Sequence, residues 1–198
     1  MKIPRVYSQL NRYLERGKAL IVFGPRQVGK TTLLNDFLKQ TTLKYKFDTG
    51  DNIKIQHLFA EQDVDKILSY IAGYDLIAVD EAQKIPHIGD GLKIIIDQRP
   101  DVQIIATGSS SFDLAGQVGE PLTGRKNTLT LFPISQLELK QIHNEYELKD
   151  SLEEFLIFGG YPEIITTKDK KDKIRKIEEI THSYLLKDIL ELDRVKSS

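Results

Sequence analysis

The sequence lacks cysteine and tryptophan, contains one methionine, and has no long apolar run. Without cysteine the chain has no disulfide framework, no thiol nucleophile and no thiolate metal site. The longest apolar run covers residues 19–23, whereas a membrane-spanning helix needs about 20 residues. These absences exclude a transmembrane span, and no signal peptide is recognisable. We therefore expect a soluble, cytoplasmic protein that does not bind membranes.

Neither sign of charge dominates. The 198 residues include 28 Lys and Arg against 29 Asp and Glu, so no global attraction to nucleic acid is expected. Charge is uneven locally, because residues 138–154 carry six acids and two bases whereas residues 168–176 carry six bases and two acids. Such runs are usually solvated helix faces; a phosphate-binding patch in residues 168–176 is the alternative.

Apolar segments alternate with helix-like segments in the first two thirds of the chain. Strands are predicted at residues 18–23, 43–47, 76–79, 102–106 and 127–132, and helices at residues 30–39, 64–72 and 90–96. Alternation of this kind indicates βαβ units, so the predicted fold class is α/β with a mostly parallel sheet covered by helices.

The last third of the chain has a helical pattern. Helices are predicted at residues 136–143, 151–158 and 173–192, and a Gly-Gly-Tyr-Pro break separates the last two. The sequence therefore divides into an α/β core at residues 1–132 and a helical region at residues 133–198.

An eight-residue segment between the first predicted strand and the first predicted helix fits the pattern G-x-x-x-x-G-K-[ST]. It is Gly24-Pro25-Arg26-Gln27-Val28-Gly29-Lys30-Thr31. The glycines let backbone N–H groups wrap a polyphosphate, and the helix N-terminus adds its positive dipole end. We expect Lys30 to bind the β- and γ-phosphates, Thr31 to ligate Mg²⁺, and Thr32 to contact the α-phosphate. The pattern predicts a nucleotide site.

A second motif follows the apolar residues 76–79, where the chain reads Asp80-Glu81. In a parallel sheet this places a carboxylate at the carboxyl edge, where ligands bind in open α/β folds. Asp80 is predicted to hold Mg²⁺, and Glu81 to orient and deprotonate an attacking water. A water-activating base favours hydrolysis over phosphoryl transfer to a small molecule. Because an Asn-Lys-x-Asp element is absent, ATP is favoured over GTP.

Polar and basic residues elsewhere complete the predicted site. Thr107, at the end of the fourth predicted strand, is placed to sense the γ-phosphate or the water, with Ser109 the next candidate; the alternative is that this stretch only turns the chain. Arg125 is predicted to stabilise transition-state charge in its own site or in a neighbouring molecule's site. Arg5 and Tyr7 are weaker candidates for contact with the base.

Six stretches in this order resemble the prokaryotic AAA-type ATPases whose P-loop domain precedes a C-terminal domain of unknown function 4143. They are GPRQVGKTTLL, LIAVDEAQKIP, IIATGSSS, LTGRKNTLTLFPISQLEL, FGGYPEI and YLLKDILEL. The resemblance implies an AAA-like sheet with strand order 5-1-4-3-2, and ATP and Mg²⁺ as ligands. It also implies Lys30 and Thr31 as nucleotide and metal ligands, Asp80 and Glu81 as the Walker B pair, and Thr107 as the sensor.

Members of that family continue beyond the point where this sequence stops, so we expect a truncated or reduced member. The leading hypothesis is a Mg²⁺-dependent ATPase coupled to an unknown protein partner or to self-association. One alternative is an ATP-dependent interaction module with negligible hydrolysis. Another is a DNA-stimulated ATPase that uses residues 168–176.

Overall fold

The computed structural model describes residues 3–109 and 118–182 of the chain. The chain divides into two compact units, which we call the larger and the smaller unit. The larger unit contains Gln9–Gly24 and Lys30–Thr130; the smaller unit contains Met1–Ser8, Pro25–Gly29 and Leu131–Ser198. The sequence-based division at residue 132 assigns residues 1–8 and 25–29 to the α/β core, whereas in the structure they group with the helical part.

The larger unit is built on a five-stranded sheet. Its strands are β1 Ala19–Gly24, β2 Tyr45–Thr49, β3 Leu76–Asp80, β4 Gln103–Ser109 and β5 Lys126–Thr130. All neighbouring strands are parallel, and their order is β2-β3-β4-β1-β5. This confirms the α/β fold class and the predicted strand order, which is the same order read from the opposite edge.

The three central strands are apolar because both of their faces are buried. In β3 every residue is buried, and the side chains alternate between the two faces of the sheet. The two edge strands differ, since β2 leaves Tyr45 and Phe47 each 40% exposed. The carboxyl ends of the three central strands lie at one edge of the sheet, so their last residues, Gly24, Asp80 and Ser109, lie at that edge.

Among the residues of the larger unit that the structure describes, four α-helices connect these strands. They are α1 Lys30–Leu38, α2 Ile53–Ala60, α3 Val64–Ile71 and α4 Ile88–Gln98. Asn52 and Asp63 cap α2 and α3 by accepting hydrogen bonds from the backbone N–H groups of Lys54 and Lys66. Apolar side chains of α2, α3 and α4 pack with those of β1, β3 and β4 in one core cluster. Helix α2 is absent from the sequence-based prediction.

Among the described residues of the smaller unit the helices are short. They are α5 Gln136–Leu139, α6 Glu145–Asp150, α7 Leu152–Phe158, α8 Pro162–Thr166 and α9 Lys170–Ile180. A capping box formed by Ser135 and Glu138 starts α5, and Asp169 caps α9. The predicted helix at residues 136–143 is therefore too long, and α6 and α8 were not predicted.

Part of the predicted last helix, together with the whole stretch YLLKDILEL at residues 184–192, lies outside the described residues. Among the described residues, no helix combines the length and the apolar character that a membrane crossing requires.

Candidate nucleotide site

A buried carboxylate lies at the end of β3 in the larger unit. Asp80 is 6% exposed, and both of its carboxylate oxygens accept hydrogen bonds from threonine hydroxyls. Thr31, in the first turn of α1, donates to Oδ2 at 2.7 Å, and Thr107, in β4, donates to Oδ1. Since buried polar groups need partners, these two hydroxyls fix the orientation of the carboxylate. The structure thus brings together three of the predicted site residues.

Lys30 lies at the start of α1, one residue before Thr31. It is 5% exposed, and its ammonium donates to the backbone carbonyl of Gly24 at 2.8 Å. The ammonium is therefore held at the carboxyl end of β1, the strand next to β4. A buried cation at this edge is suited to bind an anionic ligand, as the sequence predicts for the phosphates.

Glu81 follows Asp80 with an unusual backbone conformation. Its φ of 51° lies in the left-handed region, which non-glycine residues rarely adopt. Its carboxylate Oε2 accepts a hydrogen bond of 2.6 Å from the side-chain amide of Gln83. Strain of this kind persists only where the surroundings support it.

That support comes from the turn after β2. The backbone N–H of Gly50 donates to the carbonyl of Asp80 at 2.7 Å, and a Cβ atom on Gly50 would lie 2.1 Å from the carbonyl oxygen of Glu81. Lys84, three residues after Glu81, pairs with Asp51 at 2.7 Å. Gly50 therefore permits a close backbone approach that braces the Asp80-Glu81 pair. The sequence analysis missed this role, although Thr49-Gly50-Asp51 directly follows a predicted strand.

The candidate phosphate loop, residues 25–29, belongs to the smaller unit. Gln27 and Gly29 have φ values of 60° and 99°. Backbones with such left-handed residues can turn successive N–H groups toward one side and form an anion-binding nest. Val28 is fully buried between them, Gln27 is exposed, and Pro25 and Arg26 are half-buried. Thr32 lies exposed in the first turn of α1, in the larger unit.

The smaller unit also contains a basic residue directly against this loop. The guanidinium of Arg5 donates to the carbonyl of Val28 at 2.7 Å and to the carboxylate of Glu138 at 2.9 Å. The sequence-based interpretation placed Arg5 near a nucleotide base, whereas its donors bind protein oxygens. The importance of Glu138 was missed, because nothing in the sequence links positions 133 residues apart.

Arg125 does not belong to this constellation in its own molecule. It precedes β5, and its carbonyl accepts a hydrogen bond from Ala19, the first residue of β1. The loop motif begins at Gly24, at the other end of β1, five steps or about 16 Å away at ~3.3 Å per residue. Its guanidinium pairs instead with Asp97 at the end of α4 at 2.8 Å. Arg125 is therefore not brought to the Asp80 edge in this structure, and its action in its own site or in a neighbouring molecule's site stays a prediction.

Residues 16–140 match the family model of an AAA domain. The chain belongs to the AAA domain family. An AAA domain is a nucleotide-binding core of the ATPase type, and the sheet described above has the strand order expected for it. Residues 149–198 match a domain of unknown function, DUF8612. The predicted association with domain of unknown function 4143 is not shown, because a different domain model matches this region.

Three curated relatives of this AAA domain are themselves uncharacterized proteins. Uncharacterized proteins of Mycobacterium bovis and Mycobacterium tuberculosis are each 27% identical over 187 residues, which cover 93% of this chain and 39% of theirs. An uncharacterized protein of Methanocaldococcus jannaschii is 24% identical over 216 residues, covering 100% of this chain and 48% of its own. The chain thus spans less than half the length of these relatives.

Two solved structures resemble the AAA domain more distantly. The crystal structure of a DNA replication initiation factor covers 96% of this chain and 60% of its own, with 18% identity and a TM-score of 0.44. The Thermotoga maritima RuvB Holliday junction branch migration motor covers 63% of this chain and 41% of its own, with 22% identity and a TM-score of 0.43.

Proposed function

We propose that this AAA domain binds ATP with Mg²⁺ and hydrolyses it. The observation that carries the proposal is the Asp80 carboxylate, buried at the carboxyl edge and held by the hydroxyls of Thr31 and Thr107. A carboxylate and a hydroxyl are the hard oxygen ligands that Mg²⁺ prefers, and Mg²⁺ usually retains water and phosphate ligands as well. The residues present therefore fit the metal, which would neutralise charge on the phosphates.

Each remaining residue has a role in this proposal. Lys30 binds the β- and γ-phosphates, and residues 24–29 offer backbone N–H groups to them, while Thr32 contacts the α-phosphate. Glu81 accepts a proton from water as the water oxygen bonds to the γ-phosphorus. The bond from the γ-phosphorus to the bridging oxygen breaks, and ADP and phosphate leave. Thr107, which donates a hydrogen bond to Asp80, reports the state of the γ-phosphate in this proposal.

Glu81→Gln gives the sharpest test of hydrolysis. We expect phosphate release to fall by roughly 10²–10⁴-fold, because the base is lost while the side chain keeps its shape. The dissociation constant for ATP, measured by calorimetry with Mg²⁺, should stay within about threefold of the wild-type value, which corresponds to a small change in binding free energy. Glu61→Gln is the matched control, since Glu61 is a half-exposed acid paired with Lys66. Unchanged phosphate release in Glu81→Gln would refute the assigned role.

A second candidate function is an ATP-dependent interaction module with negligible hydrolysis. The observation that favours it is the Gln83 amide, which occupies Oε2 of Glu81. Measuring turnover per molecule against protein concentration separates the two candidates. A rate that rises with concentration supports completion by a neighbouring molecule, including the predicted role of Arg125, whereas no turnover at any concentration supports the interaction module.

The structure gives less support to a DNA-stimulated ATPase. Three of the six bases in residues 168–176 pair with acids of the same unit: Lys173 with Glu154, Lys176 with Glu163, and Arg175 with Asp172. Paired bases contribute less to phosphate binding. DNA binding at low salt that is lost when the other three bases are neutralised would support this reading.

We further propose that the nucleotide cycle acts in the cytoplasm on a protein partner whose identity is open.

A further inference from the structure

Arg5 connects three separate segments of the smaller unit. Its side chain is 11% exposed, and its three nitrogen groups bind three acceptors. Nε donates to Glu138 Oε1 at 2.9 Å, one terminal nitrogen donates to the Val28 carbonyl at 2.7 Å, and the other donates to the Phe132 carbonyl. We call this set of contacts the Arg5 bridge. A planar guanidinium suits it, because its donors have a fixed geometry that a lysine cannot reproduce.

Glu138 holds the other end of the bridge. Its side chain is 4% exposed, and its carboxylate also accepts from the backbone N–H groups of Val6 and Ser135, each at 2.8 Å. Burial favours the neutral acid, but these amides and Arg5 together hold the pKa of Glu138 below its ordinary value. Both carboxylate oxygens and all three guanidinium nitrogens are therefore hydrogen-bonded, which makes the charged pair an anchor for these segments.

The contact to Val28 determines which way the phosphate loop points its donors. In a trans peptide the C=O of one residue and the N–H of the next point in opposite directions. When Arg5 binds the Val28 carbonyl, it therefore directs the N–H of Gly29 to the opposite side. Gly29 is the last glycine of the predicted phosphate-binding motif, so this N–H is one of the donors that an anion would need.

The surroundings of Gly29 bring the same loop close to the start of helix α8. A Cβ atom on Gly29 would lie 3.5 Å from a terminal nitrogen of Arg5 and 3.9 Å from Pro162, the first residue of α8. Just before α8, the carbonyl of Gly160 accepts a hydrogen bond of 2.6 Å from Ile134. The loop, the start of the chain and the region after β5 are thus packed around one guanidinium.

We propose that Arg5, anchored by Glu138, is a positioning residue that holds the phosphate loop in its nucleotide-binding conformation. The inference rests on the proposed function, because it concerns the same loop. It deepens that function by naming a coupling: occupancy of the loop stabilises the Arg5 bridge and hence α5. Linkage makes this coupling reciprocal. The factor by which bound nucleotide stabilises the bridge equals the factor by which loss of the bridge, on release of Glu138, weakens nucleotide binding.

The experiment compares Arg5→Met, Arg5→Lys and Glu138→Gln with Lys173→Met. Lys173 is the matched control, because it forms a 2.7 Å ion pair with Glu154 in the same unit and is 8% exposed. Calorimetry with ATP and Mg²⁺ gives the dissociation constant, and thermal unfolding gives stability. We expect Arg5→Met to weaken ATP binding by about fivefold or more. Arg5→Lys and Glu138→Gln should weaken it less. Lys173→Met should lower stability without changing ATP binding.

A second readout separates this inference from the proposed function. The amide resonance of Gly29 in the ligand-free protein reports the orientation of its N–H without any nucleotide. We expect that resonance to shift in Arg5→Met and in Arg5→Lys, but not in Lys173→Met. A wild-type chain that does not bind ATP would refute the proposed function, while a shifted Gly29 resonance would still support the bridge. Unchanged ATP binding or an unchanged Gly29 resonance in the Arg5 variants would overturn the inference.

Discussion

The edge of the sheet in the larger unit and helices α6 and α7 of the smaller unit differ in how their side chains are held. Asp80 and Thr107 are almost completely buried and bound to each other, and β3 buries every residue. In contrast, α6 and α7 bury no residue, and Tyr146 and Leu156 are 79% and 75% exposed. The proposed site residues Asp80 and Thr107 thus lie on a buried scaffold, while helices α6 and α7 contribute little packing of their own.

A substitution in the core of the larger unit should have the largest effect on stability. Gly91 lies in α4, and a Cβ atom there would lie 2.1 Å from the ring of Phe59, which is fully buried. We expect Gly91→Ala to lower the free energy of unfolding by about 1–3 kcal/mol, because the ring must move within a packed core. Gly119→Ala is the control, since a Cβ atom meets nothing within 4 Å there. Equal denaturation midpoints for both variants would contradict this.

An effect of similar size on stability is expected from the hydroxyl that holds Asp80. Thr107→Val keeps the shape but removes the donor, leaving one oxygen of a buried carboxylate without that partner. We expect a loss of about 1–3 kcal/mol in the free energy of unfolding, together with slower ATP turnover. Thr123→Val serves as a control, because the Thr123 hydroxyl is exposed and bonds a backbone carbonyl at 3.1 Å. If both variants have the same free energy of unfolding and the same rate of ATP turnover, the hydrogen bond from Thr107 to Asp80 does not have the assigned importance.

A smaller effect should appear in the pH dependence of the smaller unit. Because the pKa of Glu138 is lowered on folding, its charge stabilises the folded state above its ordinary pKa. That stabilisation is lost as the pH falls through the lowered value, when the carboxylate takes up a proton. The thermal unfolding temperature of the wild type should therefore fall more steeply on acidification than that of Glu138→Gln. Parallel curves for the two proteins would refute the assignment.

The smallest effect is expected in α7. Leu156→Ser replaces a side chain that is 75% exposed, so the free energy of unfolding should change by no more than about 0.5 kcal/mol. Ile77→Thr, at a fully buried position of β3, is the comparison from the other region and should cost much more. A large loss in Leu156→Ser, measured by chemical denaturation, would mean that the helical segment is more tightly packed than its exposure indicates.

Local signals in the sequence were sufficient for the sheet and for part of the site. Strands β1, β3 and β4 are apolar runs that end in glycine, acid or hydroxyl residues, so their type could be predicted from local signals, whereas their order followed from the resemblance to AAA-type ATPases. Their shared edge then brought Thr31, Asp80 and Thr107 together, as parallel strands require.

The elements that were missed or misplaced depend on long-range contacts or on weak local signals. Arg5 meets Glu138 across 133 positions, and no periodicity encodes that distance. Arg125 lies next to a glycine loop in sequence, but the register of β5 against β1 puts it at the amino end of the strands. Helix α2 has eight residues, as does the predicted helix α3, but its apolar residues include the 65% exposed Ile53, so its apolar face is less clearly periodic.

ATP binding by the Lys30→Ala variant tests the central claim most directly. Calorimetry with Mg²⁺ would compare the wild type with Lys30→Ala and with Lys39→Ala, whose exposed lysine lies just after α1. The account predicts that the wild type and Lys39→Ala bind ATP equally, whereas Lys30→Ala binds it about tenfold more weakly or worse, because a charge-assisted contact to phosphate is lost. Equal affinity in all three proteins, or no binding by the wild type, would contradict it.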